Sequence, residues 1–356
     1  MKSEEQLAFF TEAPIPFALP STRYQGSKAK LMPWIWESLK HLDFHTALDA
    51  FGGSGVFSYW LKRQGKQVTY NDYLKFNHYI GLAIIENRCV TLTKKEVEQI
   101  ITPKEGKTYR HFIAETFRGI YYTDDENAWL DIVVQNLEGM DDLYKKALGY
   151  YALIQACLVK RPFNLFHRSN LYLRLAEVSR SFGNKVTWDK PFEEHFRAFV
   201  AEVNHLVFDN GLPNRSLNLD ALDLEGDYDL VYLDPPYISA SGVTVNYLEF
   251  YHFLEGLVNY EKWAEWIDPS TKNKRLRLKP NLWNDPKRIR LGFQTMFEKF
   301  RHSILVVSYR SDGIPSVEQL VEDMKQFKKR VTVSYFHNYR YVLSPKRVTE
   351  ILIIGE

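Results

Sequence analysis

Residues 43–72 decide the fold: DFHTALDA (Asp43–Ala50), FGGSG (Phe51–Gly55), VFSYWLKRQ (Val56–Gln64), then Gly65, Lys66, QVTY (Gln67–Tyr70) and Asn71-Asp72. The first segment has the length and apolar content of a short buried strand. The second is a tight glycine turn. The third reads as a helix that stops at Gly65, and the fourth as another strand closed by an amide and an acid. Strand, glycine turn, helix, strand, acid make one βαβ unit.

Outward from this unit the rhythm changes. Upstream, Arg23-Tyr24-Gln25-Gly26-Ser27-Lys28 precedes a predicted helix over Lys30–Leu39. Downstream, Lys75–Leu219 loses the strand pattern and holds helix-like stretches over Asp141–Val159 and Phe192–Val207. The pattern returns at Asp229–Leu233, which runs into Asp234-Pro235-Pro236-Tyr237. Further strands are predicted over Ile304–Ser308, Val331–Tyr335 and Glu350–Ile354, the last two spaced to pair antiparallel at a sheet edge. The organisation is an α/β sheet domain built from both ends of the chain around a mostly helical insert.

A chain of 356 residues suits one large domain or two unequal ones. A net charge of +2 implies no nucleic acid by itself, so a local basic patch is required for that reading. The two cysteines, Cys89 and Cys157, exclude a disulfide framework and a cysteine-rich zinc site. Met1–Thr11 lacks the basic start and apolar stretch of a leader, and no run of about 20 apolar residues is present. A reducing cytoplasm fits. His41, His45, His111 and His195 lack metal-ligand spacing, so no metal is expected.

Three motifs point to chemistry. Glycines after a strand let a ligand approach the backbone, and the following helix offers free N–H groups. A tight turn without a ligand is the plain alternative. Asp49 ends the strand, where a carboxylate can meet an amine, and Asp72 follows at about 20 residues, the spacing of an acid that binds ribose hydroxyls. No Gly-Lys-Ser/Thr follows the glycines, which disfavours a P-loop. The second motif, Asp234–Tyr237, follows a strand and therefore lies at the carboxyl end of the sheet. Its prolines fix an extended turn that presents a carboxylate beside an aromatic ring. That pair suits a planar base with an amino group, Asp234 and the Pro235 carbonyl accepting its N–H bonds and Tyr237 stacking on its face. A structural turn with a packed tyrosine is the alternative. The third, Arg23–Lys28, reads as an ordinary basic loop or as a ligand lid.

The order Arg-Tyr-x-Gly-Ser-Lys (23–28), Asp-Ala-Phe-Gly-Gly-Ser-Gly (49–55), Asn71-Asp72 and Asp234-Pro-Pro-Tyr237 resembles the DNA adenine methyltransferases of the Dam type, restriction-modification enzymes included. Val307–Ser316 also resembles that family. The resemblance implies a Rossmann-like methyltransferase sheet with helices on both faces, formed by 18–90 and 216–356, and an inserted helical target-recognition region over 91–215. It implies S-adenosylmethionine as cofactor. Tyr24 and Lys28 would line its site, Asp49, Gly52 and Gly55 would form the methionine side, Asp72 would hold the ribose, and Asp220 would contact its adenine. Asp234, Pro235 and Tyr237 would be catalytic and would hold a flipped target adenine, Asp234 also bordering the cofactor. Tyr24 stands where some relatives have Trp; either ring can stack. An acid at 234 favours adenine over cytosine, whose enzymes more often carry Ser there, and over protein glutamine, whose enzymes carry Asn. The expected partner is double-stranded DNA, with a cognate endonuclease as a further one, and the expected state is a monomer in a prokaryotic or phage-encoded setting. RNA or cytosine methylation, a non-catalytic DNA-binding subunit and a dinucleotide enzyme are the rivals.

Lys160–Arg174 (KRPFNLFHRSNLYLR) alternates cations with rings and amides. Arg161, Arg168 and Arg174 suit phosphates; Asn164, His167 and Asn170 suit base edges; Phe163 and Phe166 can stack or wedge. An amphipathic surface segment is the alternative. A second basic cluster comprises Lys272, Lys274, Arg275, Arg277, Lys279, Lys287, Arg288 and Arg290, with Trp283 among them, and suits the phosphate backbone.

Overall fold

The computed structural model describes residues 18–21, 23–177, 185–278, 280–340 and 347–356. Met1–Thr11 and Lys279 therefore lie outside the described residues. Seven strands form one sheet: β1 (Thr46–Asp49), β2 (Gln67–Asn71), β3 (Arg215–Leu217), β4 (Leu230–Leu233), β5 (Ile304–Arg310), β6 (Val331–Arg340) and β7 (Arg347–Gly355), in the order β3-β2-β1-β4-β5-β7-β6. The first five are mutually parallel, and β7 runs antiparallel between β5 and β6. This is the Rossmann-like methyltransferase arrangement implied by the sequence. The predicted β6–β7 pairing is present, but β7 rather than β6 lies against β5. β3 has three residues and no readable pattern, and was not anticipated.

Alternation along each strand sends side chains into two cores, one per face. Leu48, Val231, Leu233, Leu305 and Val307 pack on the helices Ile289–Lys299 and Val317–Lys325 through Phe293, Met296, Phe297, Leu320 and Met324. Ala47, Val68, Tyr70, Leu230 and Tyr232 face the opposite way, towards the helices Met32–Leu39 and Val56–Arg63 and the insert.

The insert is helical, as expected, and its helix starts are written locally. Thr93 with Glu96 and Thr123 with Glu126 form reciprocal capping boxes at Lys94–Ile101 and Asp124–Glu138. The helix Leu143–Val159 is buried on all sides from Ala147 onward, which marks it as the central rod of this layer. The layer is completed from beyond the Asp-Pro-Pro-Tyr turn. Tyr251, Phe253 and Trp263 join the same apolar core, and the Tyr121 hydroxyl lies 2.8 Å from His252 Nε2 and 3.0 Å from the Asn273 carbonyl.

Candidate active site

The strand order creates the site. β1 and β4 are adjacent, and the chain departs from them towards opposite edges of the sheet. In open α/β sheets ligands bind in the crevice outside the carboxyl ends at such a switch point. Asp49 is the last residue of β1, pairing with Tyr232 of β4, and Asp234 immediately follows β4. An open cleft of about 1050 Å³ lies there, lined by Tyr24, Lys28, Asp49, Gly52, Asp72, Asp220 and Asp234 together. Segments far apart in sequence thus converge on one cavity.

The glycine turn is held in shape by its neighbours. The Gly53 N–H donates to Asp72 Oδ2 at 2.8 Å, and the Leu74 N–H donates to Asp72 Oδ1 at 2.8 Å. A Cβ on Gly52 would sit 2.0 Å from the Tyr70 ring, so only glycine fits under that ring. Gly55 corrects the expectation for it. It does not line the cleft; its φ of +74° turns the chain into the helix Val56–Arg63. Asp220 borders the cleft while its side chain accepts the Leu222 N–H at 3.0 Å.

Tyr24 lies parallel to Tyr251, with centroids 4.8 Å apart, and to Tyr247 at 5.3 Å. Tyr247 belongs to the helix Tyr247–Leu257, so this stack joins the N-terminal loop to the segment after the Asp-Pro-Pro-Tyr turn and walls one side of the cleft. Trp283 forms another wall. It is buried against Phe51 and Phe293, edge to face. Its place in a basic cluster concealed this role.

The Asp-Pro-Pro-Tyr turn is engaged in a four-membered polar network. Lys28 Nζ lies 3.0 Å from Asp234 Oδ1 and 3.9 Å from Glu350 Oε2. It also donates to the Tyr237 hydroxyl and sits 4.6 Å from the centre of that ring. The Tyr237 hydroxyl is 2.9 Å from Asp234 Oδ1 and 3.2 Å from Glu350 Oε2. Pro235 is buried and Pro236 faces the cleft. Tyr237 does not line the cleft, contrary to the picture of an open ring awaiting a base: Lys28 covers it.

Burial dominates the electrostatics. It pushes Asp49 up to about 7 and Asp72 up to about 6, against the opposing hydrogen bonds from Ser58 and from the Leu74 and Gly53 amides. It also raises Asp234, with Lys28 and Tyr237 pulling back. Burial disfavours the Lys28 charge, but Asp234 and Glu350 outweigh it and hold this lysine protonated. Asp49 Oδ1 is buried and has no hydrogen-bond partner. The cleft is thus rich in desolvated carboxylates and favours a cationic ligand.

On the insert, two expectations are corrected. Arg161 is buried, with its guanidinium over the Tyr121 ring and its donors on the carbonyls of Leu165, Ser169 and Arg168. Arg174 is buried and paired with Glu126 at 2.7 Å and 2.9 Å. Both build the loop from inside: the Arg161 donors and the two terminal guanidinium nitrogens of Arg174 are taken up by carbonyls and by Glu126. Arg168 is exposed, and Asn164, His167 and Asn170 are half-buried around it. Phe163, Asn164 and Asn170 all adopt positive φ, of 63°, 56° and 53°. In the second cluster Arg275 pairs with Glu249, and Arg290 with Asp323 at 2.8 Å. Lys272, Arg277, Lys287 and Arg288 are exposed. Among the described residues no helix is long and apolar enough to cross a membrane.

The profile of the D12 class N6 adenine-specific DNA methyltransferases matches residues 24–260. The chain is 30% identical over 325 residues to the Type II methyltransferase M2.HphI of Haemophilus parahaemolyticus, covering 88% of this chain and 90% of that one. It is 23% identical over 323 residues to the Type II methyltransferase M.NlaIII of Neisseria lactamica, covering 86% and 88%. It is 25% identical to the modification methylase StsI of Streptococcus sanguinis over 338 residues, which are 86% of this chain and 46% of that protein. With its switch-point cleft, its glycine turn and its Asp-Pro-Pro-Tyr turn, the chain belongs to the D12 class of N6 adenine-specific DNA methyltransferases.

Proposed function

We propose that the cleft binds S-adenosylmethionine and that Asp234 receives the amino group of an adenine flipped from double-stranded DNA. When bound, this cofactor supplies a methyl group already activated on a sulfonium sulfur. The residues present fit it. Asp49 has an unpartnered buried oxygen for the ligand's amine, Asp72 lies where ribose hydroxyls are expected, Gly52 leaves room above Tyr70, and the surplus of carboxylates suits a cation. The observation that carries the reading is the meeting of Asp49 and Asp234 at the ends of neighbouring strands, in one cavity.

The remaining task is positioning. Asp234 and the Pro235 carbonyl accept the two amine N–H bonds, which localises the nitrogen lone pair towards the methyl and stabilises the charge that grows on nitrogen. Bound there, the cofactor would supply the methyl and keep the electron pair of its S–C bond on sulfur, while the amine, held by Asp234 and Pro235, would release one proton to water. No covalent enzyme intermediate is needed.

On the DNA side, Asn164, His167, Arg168 and Asn170 face the substrate, while Arg161 and Arg174 shape the loop that carries them. Lys272, Lys274, Arg277, Lys287 and Arg288 track phosphates. Two adjacent residues with positive φ, Phe163 and Asn164, mark a strained turn of the kind that functional loops maintain. The Type II relatives support a role in restriction-modification; a cognate endonuclease as genetic partner and action as a monomer are the further parts of this reading.

The test is incubation with methyl-labelled S-adenosylmethionine and mixed-sequence duplex DNA, followed by digestion to nucleosides. Label in N6-methyladenine is expected. Asp234→Ala should lose roughly a thousandfold or more in turnover and still bind cofactor. Retained turnover in that variant rejects the assignment.

A further inference from the structure

Glu350 is a buried acid for which the chemistry above has no task. It lies in β7, a strand paired on both sides, opposite Arg310 of β5 and Phe336 of β6. It is fully buried. Its Oε2 lies near the Tyr237 hydroxyl and Lys28 Nζ, and its Oε1 is buried without a hydrogen-bond partner. A carboxylate inside a sheet with one oxygen unused costs stability, so a second state that uses that oxygen is the natural explanation. The groups facing it are Lys28 from the N-terminal loop, Asp234 and Tyr237 from the turn, and Arg310 from β5.

The geometry poses a competition. Lys28 holds Asp234 Oδ1 at 3.0 Å, and an incoming amine needs the same carboxylate. An ammonium as buried as that of Lys28, once released from Asp234, requires another anion nearby. Glu350 is the next carboxylate, 3.9 Å away, close to hydrogen-bond distance.

We propose that Glu350 is a positioning residue that takes over the Lys28 ammonium when a target amine displaces it from Asp234. One hydrogen bond of Lys28 is exchanged for another, and no proton or covalent bond changes hands. The cation stays beside Tyr237 and keeps Asp234 ionised throughout. The inference rests on Asp234 being the acceptor of the target amine.

The test compares the full-length wild type, Glu350→Gln, Lys28→Met and the double variant in single-turnover methylation of a duplex carrying the mapped site. Glutamine keeps the size and one acceptor oxygen for Tyr237, removes the charge and turns the second oxygen into an amide donor. Glu350→Gln should slow methylation roughly tenfold or more, leave cofactor affinity within about twofold, and add little in the Lys28→Met background, because the residue acts through Lys28. A wild-type rate in Glu350→Gln, or an equal loss with Lys28 absent, overturns the proposal. Should Glu350→Gln fail to fold, a crystal structure of the wild type with duplex and a non-reactive cofactor analogue decides. Lys28 bonded to Glu350 is expected, and Lys28 turned away from Glu350 is the contrary result. Turnover by Asp234→Ala rejects the underlying assignment instead, so the two failures are distinguishable.

Discussion

The Lys28 ammonium sits 3.0 Å from Asp234 Oδ1, on the carboxylate proposed to receive the target amine. Because Lys28 pulls the Asp234 carboxyl down against burial, its removal lets that carboxyl rise further. Lys28→Met should therefore move the acid limb of the pH–rate profile towards higher pH. It should also cost on the order of 3–5 kcal/mol of stability, the usual effect of removing one partner of a buried pair. A pH–rate profile and a denaturant titration check both parts; an unmoved limb contradicts the electrostatic account.

Cofactor affinity should strengthen as pH rises. Asp49 titrates at about 7 and Asp72 at about 6, both above their ordinary values because of burial. Between the unfolded and folded values the native free protein holds more protons than the unfolded chain, so these two groups contribute stability that declines as pH rises through that window. A cationic ligand favours the ionised carboxylates, and binding releases the protons. Calorimetry in buffers of different ionisation heat should detect proton release near pH 6, and Asp49→Asn should diminish it. Binding without proton release is the contrary result.

Gly52→Ala and Gly65→Ala should behave differently. A Cβ at 52 meets the buried Tyr70 ring, whose hydroxyl is fixed on the Gly53 carbonyl at 2.8 Å, whereas a Cβ at 65 meets nothing within 4 Å. The first substitution should abolish cofactor binding and cost roughly 1–3 kcal/mol by overpacking. The second, at a φ of +72°, should cost about 1 kcal/mol of backbone strain and leave binding intact. Thermal melts with and without cofactor compare them.

Arg161 and Arg168 are seven positions apart in one basic segment and should separate cleanly. Arg161→Ala empties a buried site among Tyr121, Phe166 and four carbonyls and should destabilise the protein by about 3 kcal/mol or more. Arg168→Ala should leave the melting temperature unchanged, weaken DNA binding, and reduce the salt slope by about one. Equal effects on stability would reject the division of roles.

Much of this was legible because the informative segments are local. The βαβ unit and the Asp-Pro-Pro-Tyr turn each carry their geometry within a few residues, so the sequence alone puts forward Asp49, Asp72 and Asp234, which the fold brings to one cleft. Arg161 and Arg174 were misread because a cation's burial is set by distant partners, here Tyr121 and Glu126. Tyr247 and Trp283 were missed as cleft walls for the same reason: an aromatic residue in a helix or loop looks the same whether it faces core or cavity. Glu350 had no local signal at all. Within the apolar stretch of β7 it reads as the polar start of a strand, and only the sheet order brings it to Tyr237.

The interior position of β7 has a consequence for synthesis. Among the described strands β6 pairs with β7 alone, yet β6 leaves the ribosome first. It has no partner in the sheet until the following strand has been made. The nascent chain therefore carries its glycine turn and its Asp-Pro-Pro-Tyr turn well before the sheet behind them can close. Since β7 also brings Glu350 to Tyr237 and Lys28, the polar network is complete only once that strand has paired.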